Sequence, residues 1–309
     1  MNSPEENTQL IRRKALELGF SACGFSRAEP PLKDGEILDN WLKKRHQAGM
    51  RWMNNHLEKR KDPRLLVEGA KSVISVILAY YNPQMQKDPT APVISRYAYG
   101  KDYHRVMKKK LTELFLYLRE LYPDSGGRVF VDSAPVLEHA FARNAGLGWI
   151  GKNSLLLNKE YGSYFFIGEI ITTAELETNE TEIKDHCGSC RLCVDECPTH
   201  AINADRTVNA GKCISYLTIE HREDLPPEYL NSFYNRVFGC DICQDVCPWN
   251  RKLEKHHVPE FNPLAELMKM TRKEWVELDE SGYKALFEGS AVKRAGFQGL
   301  RRNIDFIST

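Results

Sequence analysis

Apolar residues recur at helical spacing from Thr8 to Leu18 and the run stops at Gly19, which predicts a first amphipathic helix. Lys71-Ser-Val-Ile-Ser-Val-Ile-Leu-Ala-Tyr80 has a different pattern. It is rich in β-branched residues, ends at Asn82-Pro83 and predicts a buried strand. The helical period returns from Val106 to Leu121, with Lys108, Lys109 and Lys110 on its outer face. Arg128–Asp132 predicts a short strand, and Val136–Asn144 a helix ended by Gly146. Leu155–Leu157 and Tyr164–Ile171 predict two strands paired around a turn at Tyr161-Gly162. After Asp185 the chain turns to cysteine, proline and short helices. The pattern predicts an α+β protein: an α/β domain over 1–175, a cysteine-rich domain over 176–255 and a helical tail over 256–309.

Composition narrows the class. A chain of 309 residues can bury a substantial core, and its net charge of +1 exerts no global pull toward nucleic acid. No apolar run approaches the roughly 18 residues of a membrane span. Met1-Asn-Ser-Pro-Glu-Glu-Asn-Thr8 is polar and acidic, unlike a signal peptide, and Arg12-Arg13 leads into an amphipathic helix rather than an export segment. A cytoplasmic monomer is expected, with no membrane partner.

Eight of the nine cysteines lie between Cys187 and Cys247. Cys187-Gly-Ser-Cys190-Arg-Leu-Cys193-Val-Asp-Glu-Cys197-Pro198 is the C-x2-C-x2-C-x3-C-P run of bacterial ferredoxins. Cys240-Asp-Ile-Cys243-Gln-Asp-Val-Cys247-Pro248 repeats it without the first cysteine, which Cys213 can supply. Three thiolates on a tight loop converge on one cubane, and the cysteine before proline reaches the neighbouring cluster. The predicted ligand sets are Cys187, Cys190, Cys193 and Cys247 for one [4Fe–4S] cluster, and Cys197, Cys213, Cys240 and Cys243 for the other. Zinc also takes C-x2-C pairs, but two proline-terminated endings are not a zinc habit. Disulfides would need an oxidising compartment.

Outside this region the chemistry is sparser. Cys23 reads as a small buried hydrophobe. There is no P-loop and no complete G-x-G-x-x-G after a strand. Asp102-Tyr-His104-Arg-Val-Met107 begins like the Asp-x-His-x-x-Gly box that puts histidine on cobalt in some cobalamin proteins, but the glycine is Met107. Asp132 ends a strand ahead of Ser133-Ala-Pro135. A carboxylate there suits acid catalysis at a strand tip, although an aspartate in such a place more often caps a helix, with Glu138 nearby. The pattern leaves both open.

Several long strings carry a resemblance. They are Ser95-Arg-Tyr-Ala-Tyr-Gly-Lys-Asp-Tyr-His104, Val131-Asp-Ser-Ala-Pro-Val-Leu-Glu138 and Ala145-Gly-Leu-Gly-Trp-Ile-Gly-Lys-Asn153. Cys213-Ile-Ser-Tyr-Leu-Thr-Ile-Glu220 and Gly239-Cys-Asp-Ile-Cys-Gln-Asp-Val-Cys-Pro-Trp-Asn250 complete them. Together they resemble epoxyqueuosine reductases, the cobalamin-dependent iron–sulfur enzymes of tRNA queuosine synthesis, over about residues 8 to 250. The resemblance implies a nitroreductase-like cobalamin-binding core and a ferredoxin-like two-cluster domain; with Met107 in place of the glycine of the His104 box, a base-off cobalamin without a histidine ligand is expected. It implies that electrons pass from an external low-potential donor, of flavodoxin or ferredoxin type, through both clusters to cob(I)alamin. Asp132 matches the family's proton donor, a task that requires burial to raise its pKa. Arg60 matches a cobalamin contact; Leu156, Ile167 and Ser215 fall where the family meets the corrin. Ser95 falls beside the cobalt, and Asp241 points toward the corrin edge. Tyr103 and His104 line the substrate pocket. Many relatives carry a C-terminal helical-repeat extension. This sequence stops soon after Gly299-Leu-Arg-Arg-Asn303 and reads as a short form.

The tRNA partner needs phosphate contacts, for which the basic islands are Lys43–Arg45, Lys59–Lys61, Lys108–Lys110, Lys293-Arg294 and Arg301-Arg302. Two other functions fit the clusters: a cytoplasmic cobalamin-dependent reductive dehalogenase and a ferredoxin-like electron carrier. The α/β domain is superfluous for a plain carrier.

Overall fold

The structure, a computed structural model, describes residues 3–178 and 183–308. Helix α1 (Pro4–Glu17) opens on a capping box between Ser3 and Glu6 and leads to strand β1 (Ala22–Arg27). Helices α2 (Leu32–Lys43) and α3 (Leu57–Lys61) precede β2 (Ser72–Ala79). Then come β3 (Val93–Ile94), α4 (Tyr103–Leu121), β4 (Gly127–Phe130) and α5 (Glu138–Asn144). A small hairpin of β5 (Trp149–Ile150) and β6 (Leu156–Leu157) leads to β7 (Phe165–Thr172).

The main sheet has the order β1-β2-β7-β4, with every neighbouring pair antiparallel. The central strands β2 and β7 are buried on both faces, which is why they read as continuous apolar runs rather than alternating ones. Ile11 and Ala15 of α1, and Met107, Leu111, Leu114 and Leu118 of α4, cover one face. Helix α5 covers the other, where Ala142 packs on Ile77 and Ile167. This is a three-layer α/β/α arrangement.

Two sequence expectations change. Leu155–Leu157 and Tyr164–Ile171 do not pair with each other: β6 joins β5, and only the bridge Asn158–Gly162 closes the turn. Strand β7 needs hydrogen-bond partners on both sides and finds them in β2 and β4. Strand β1 escapes sequence reading because Gly24 and Ser26 break its apolar pattern.

The cysteine-rich segment contains α6 (Leu192–Asp195), α7 (Ile214–Ile219), β8 (Arg236–Phe238) and α8 (Ile242–Asp245). Strand β8 pairs in parallel with β3, stitching this segment to the preceding one. Helices α9 (Ala265–Lys269), α10 (Arg272–Val276), α11 (Glu280–Leu286) and α12 (Gly296–Phe306) form the tail. Trp275, Phe287, Leu300 and Ile304 share a core with Ala98, Tyr99, Val237 and Phe238. Asn303 donates to the carbonyls of Thr218 and Val237, both at 2.8 Å, and Arg302 donates to those of Leu217, His221 and Glu223. The tail therefore clamps α7 and β8, the two elements that flank Cys213 and Cys240. Among the described residues, no helix is long and apolar enough to cross a membrane.

Candidate active site and cluster centres

Asp132 stands just past the end of β4 with φ of 52°, a left-handed posture uncommon for a non-glycine residue. It caps no helix. The N-cap of α5 is Leu137, and Glu138 reaches back so that its Oε1 accepts the Asp132 N–H at 2.5 Å. This bond holds the turn while the Asp132 carboxylate points away from it. Oδ2 accepts a hydrogen bond from the Tyr103 hydroxyl at 2.5 Å and faces His104 Nε2 at 3.2 Å. On its far side, His104 Nδ1 lies 2.7 Å from Asp102.

The charges follow from these contacts. Burial acts to lower the His104 pKa, but the bonds to Asp102 and Asp132 outweigh it and raise the value to about 9. For Asp132, burial acts upward, yet the bonds from His104 and Tyr103 win and hold its carboxyl below the usual range. Its side chain is 59% exposed to the adjoining cleft, which limits the burial effect. Near neutral pH the proton therefore sits on His104 and not on Asp132. This corrects the expectation that burial keeps Asp132 protonated.

Two cavities meet at this point. The larger measures about 680 Å³, within the usual size of a ligand pocket, and is walled by Trp41, Arg60, Asp132, Glu138, His139 and Trp149 among others. The smaller, about 170 Å³, is walled by Tyr80, Tyr103, Leu156, Phe166, Ile167 and Gln244, with Asp132, Glu138 and His139 common to both. Tyr103 stacks on Phe166 at 4.2 Å and 2°. Buried Arg60 Nε and Trp149 Nε1 have no hydrogen-bond partner, so two donors in the wall of the larger cavity lack an acceptor.

The cysteines fall into two sets. Cys187, Cys190, Cys193 and Cys247 wall a separate cavity of about 250 Å³. In the second set, Cys213 feels the charge of Cys197, while Cys240 and Cys243 both feel Cys213. Cys243 also feels Cys193, so the sets adjoin. Lys152, on the β5–β6 turn, donates to the carbonyls of Gly188 and Cys190 at 2.7 Å each. Its neighbour Asn153 lies beside Cys243, with its buried Nδ2 left without a hydrogen-bond partner. Cys243 in turn acts on Tyr80, and Gln244 enters the small cavity wall. The second set is therefore the inner one. Cys23 lies apart, buried in the core, with burial pushing its thiol up to about 12.

Of the residues singled out from sequence, Arg60, Asp132, Leu156 and Ile167 meet at the two cavities. Ser215 and Asp241 do not wall either one. Ser215 donates its backbone N–H to Cys213, and the carboxylate of Asp241 accepts from the Arg96 backbone at 2.9 Å and pairs with its guanidinium. Both belong to the cluster end. Sequence reading passes over His139 and Glu169. The signal for Glu169 is a lone acid inside the apolar run Phe165–Thr172.

A pair of four-thiol sets next to an acid-bearing cleft defines an iron–sulfur oxidoreductase, and residues 186–250 match the profile of the 4Fe-4S double cluster binding domain. Residues 60–133 match the profile described as epoxyqueuosine reductase QueG, DUF1730. The epoxyqueuosine reductase of Cellulophaga algicola is 48% identical over 307 residues, covering 99% of this chain and 100% of the relative. A crystal structure of epoxyqueuosine reductase with a tRNA-Tyr epoxyqueuosine-modified stem loop matches at TM-score 0.91 and 31% identity, covering 99% of this chain and 81% of that one. The Bacillus subtilis epoxyqueuosine reductase, in a structure with its catalytic aspartate loop swung out of the active site, matches at TM-score 0.91 and 30% identity, covering 99% and 82%. The chain belongs to the epoxyqueuosine reductase family.

Proposed function

We propose that this chain removes the epoxide oxygen of epoxyqueuosine in a tRNA anticodon loop, using two [4Fe–4S] clusters and cobalamin. Cys187, Cys190, Cys193 and Cys247 hold the outer cluster, and Cys197, Cys213, Cys240 and Cys243 the inner one. The donor set fits. Among the described residues no three His, Cys, Asp or Glu side chains converge on a single ion, whereas four thiols surround a cavity of about 250 Å³. Ser215 supports Cys213, and Asp241 fixes the inner loop to Arg96.

The larger cavity fits a corrin, whose rim of carboxamides can accept from Arg60 Nε and Trp149 Nε1. Leu156 and Ile167 supply apolar wall next to it. Bound there, cobalamin would supply low-potential reducing equivalents at cobalt. Asp132 relays to the departing oxygen the proton that His104 holds, through the contact at 3.2 Å. The stacked Tyr103 and Phe166 offer an aromatic wall for an extruded base.

The solved complex of a relative with a modified stem loop supports tRNA as the partner. Several basic islands are already engaged within the fold: Arg294 with Glu220, Arg302 with carbonyls and Lys61 with Asp39. Lys43, Lys59 and Lys293 are the better candidates for phosphate. Electrons enter at the outer thiol set from a low-potential flavin or iron–sulfur protein. Eight thiols kept reduced suit the cytoplasm. By task, the chain divides into 1–175 for corrin and acid chemistry, 176–255 for electron transfer and 256–309 as the clamp.

The observation that carries this reading is the position of Asp132, bonded to a proton-bearing histidine where both cavities meet beside the inner thiols. Its test is anaerobic turnover after reconstitution with iron, sulfide and cobalamin, read by mass spectrometry of the nucleosides. Loss of one oxygen that depends on added cobalamin is expected. No conversion with corrin bound and both clusters intact would contradict it.

A further inference from the structure

Glu169 lies in the middle of β7, in the interior of the four-stranded sheet, with its Cα paired to Ser75 on one side and Phe130 on the other. It is 0% exposed. Neither carboxylate oxygen has a hydrogen-bond donor within reach, yet the side chain lies in bonding contact with Glu138. Two carboxylates bond to each other only through a proton held by one of them. A buried carboxylate with no partner neutralises rather than stay charged, so the fold retains this contact only if the proton stays. Glu138 is the open end of the pair. Its Oε1 accepts the Asp132 backbone N–H, and its side chain walls both cavities together with Asp132.

The chemistry asks for a second proton. Converting an epoxide to an alkene breaks both C–O bonds, forms one C=C bond and releases the oxygen as water. This consumes two electrons, from the low-potential donor, and two protons. Asp132 and His104 together hold one.

We propose that Glu138 and Glu169 share a single proton behind Asp132 and that this proton is the second one consumed in the deoxygenation. This rests on the epoxide-reduction reading above. Glu138 passes the proton into the cleft, and the pair is recharged from solvent after product leaves. Glu169 is a positioning residue, since it acts through Glu138. The groups facing the pair from neighbouring elements are Asp132, His104 and Tyr103 on one side and Arg60 of α3 on another. Burial, and then the charge of Asp132, push the Glu138 carboxyl up to about 8. Burial, and then Glu138, push Glu169 well above the usual carboxylate range. Both directions agree with a retained proton at neutral pH.

The test has two arms. Infrared spectra of the corrin-free protein at pH 7 should contain the carbonyl band of a protonated carboxylic acid, sensitive to deuterium exchange. The band should persist in Asp132→Asn and vanish in Glu169→Gln, whose amide donates to Glu138. Glu169→Met serves if Glu169→Gln does not fold, because apolar replacement of a buried ionisable group is often tolerated. No band in the wild type, or a band unchanged in these Glu169 variants, overturns the proposal. In single turnover of the loaded enzyme on epoxyqueuosine-containing tRNA, Glu169→Gln should slow oxygen loss about tenfold, less than loss of a direct proton-transfer group because Glu169 acts through Glu138, and more steeply as pH rises. Wild-type rates at every pH would overturn it. If the wild type shows the band but converts no epoxyqueuosine, the substrate reading fails, and with it the role in this reaction, while the shared proton stands.

Discussion

Asp132 adopts a left-handed backbone at φ 52°, a posture that costs roughly 1–2 kcal/mol for a residue with a side chain. The bond from its N–H to Glu138 offsets this, and the carboxylate is left facing Tyr103 and His104. The resulting pair behaves as one proton-holding unit, which gives a pH signature. The folded-state pKa of His104 is raised from 6.5 to about 9, so its contribution to stability is complete below pH 6.5 and is lost as pH rises through about 9. Glu138 acts in the same sense, from its ordinary 4.5 up to about 8. The thermal midpoint should therefore fall between pH 6.5 and 9. His104→Gln should flatten that fall; an unchanged slope in the variant would show that His104 does not carry the proton. At this scale the sequence was a partial guide. Asp132 could be singled out by its place at a strand tip, but its protonation could not, because the bonding partners that decide it, Tyr103 and His104, come from α4.

The elements show why some features were legible and others not. Helices α1 and α4 have strong periodicity because each buries one face against the sheet, and β2 reads as a continuous apolar run because both its faces are covered. Strand β3 and strand β8 have only two and three residues, and nothing local to either indicates that they pair across the chain. Their pairing depends on Gly239, which has φ of 73° and leaves room for Ser95. A Cβ at this position would collide with Ser95 Oγ, immediately before the proposed ligand Cys240. Gly239→Ala should destabilise the fold by about 2 kcal/mol or more, from the left-handed backbone and the clash together. Iron content should fall by about half in the same variant, since the loop that carries Cys240 and Cys243 would shift. Full iron loading with a wild-type melting curve would show that this approach does not fix the loop.

Across the whole molecule, the parts lie in the order that the proposed reductive path requires. The outer thiols adjoin the inner ones through Cys193 and Cys243. The inner ones adjoin the small cavity through Gln244 and Tyr80, and Asp132 stands where that cavity opens into the larger one. The paired cysteine runs pointed to two thiol sets, because tight spacing favours convergence on a cluster. The tail was less legible: a series of short helices says nothing of where it packs. In the fold it shares a core with Ala98 and Val237 and ties down α7, so it braces the centre. The most direct test of this account is the single-turnover rate of oxygen loss from epoxyqueuosine in Asp132→Asn, with cluster and corrin content verified. A fall of roughly 100-fold or more, the usual contribution of a positioned general acid, is predicted. A rate equal to wild type, with both clusters and corrin in place, would contradict the assignment of Asp132 as the proton donor.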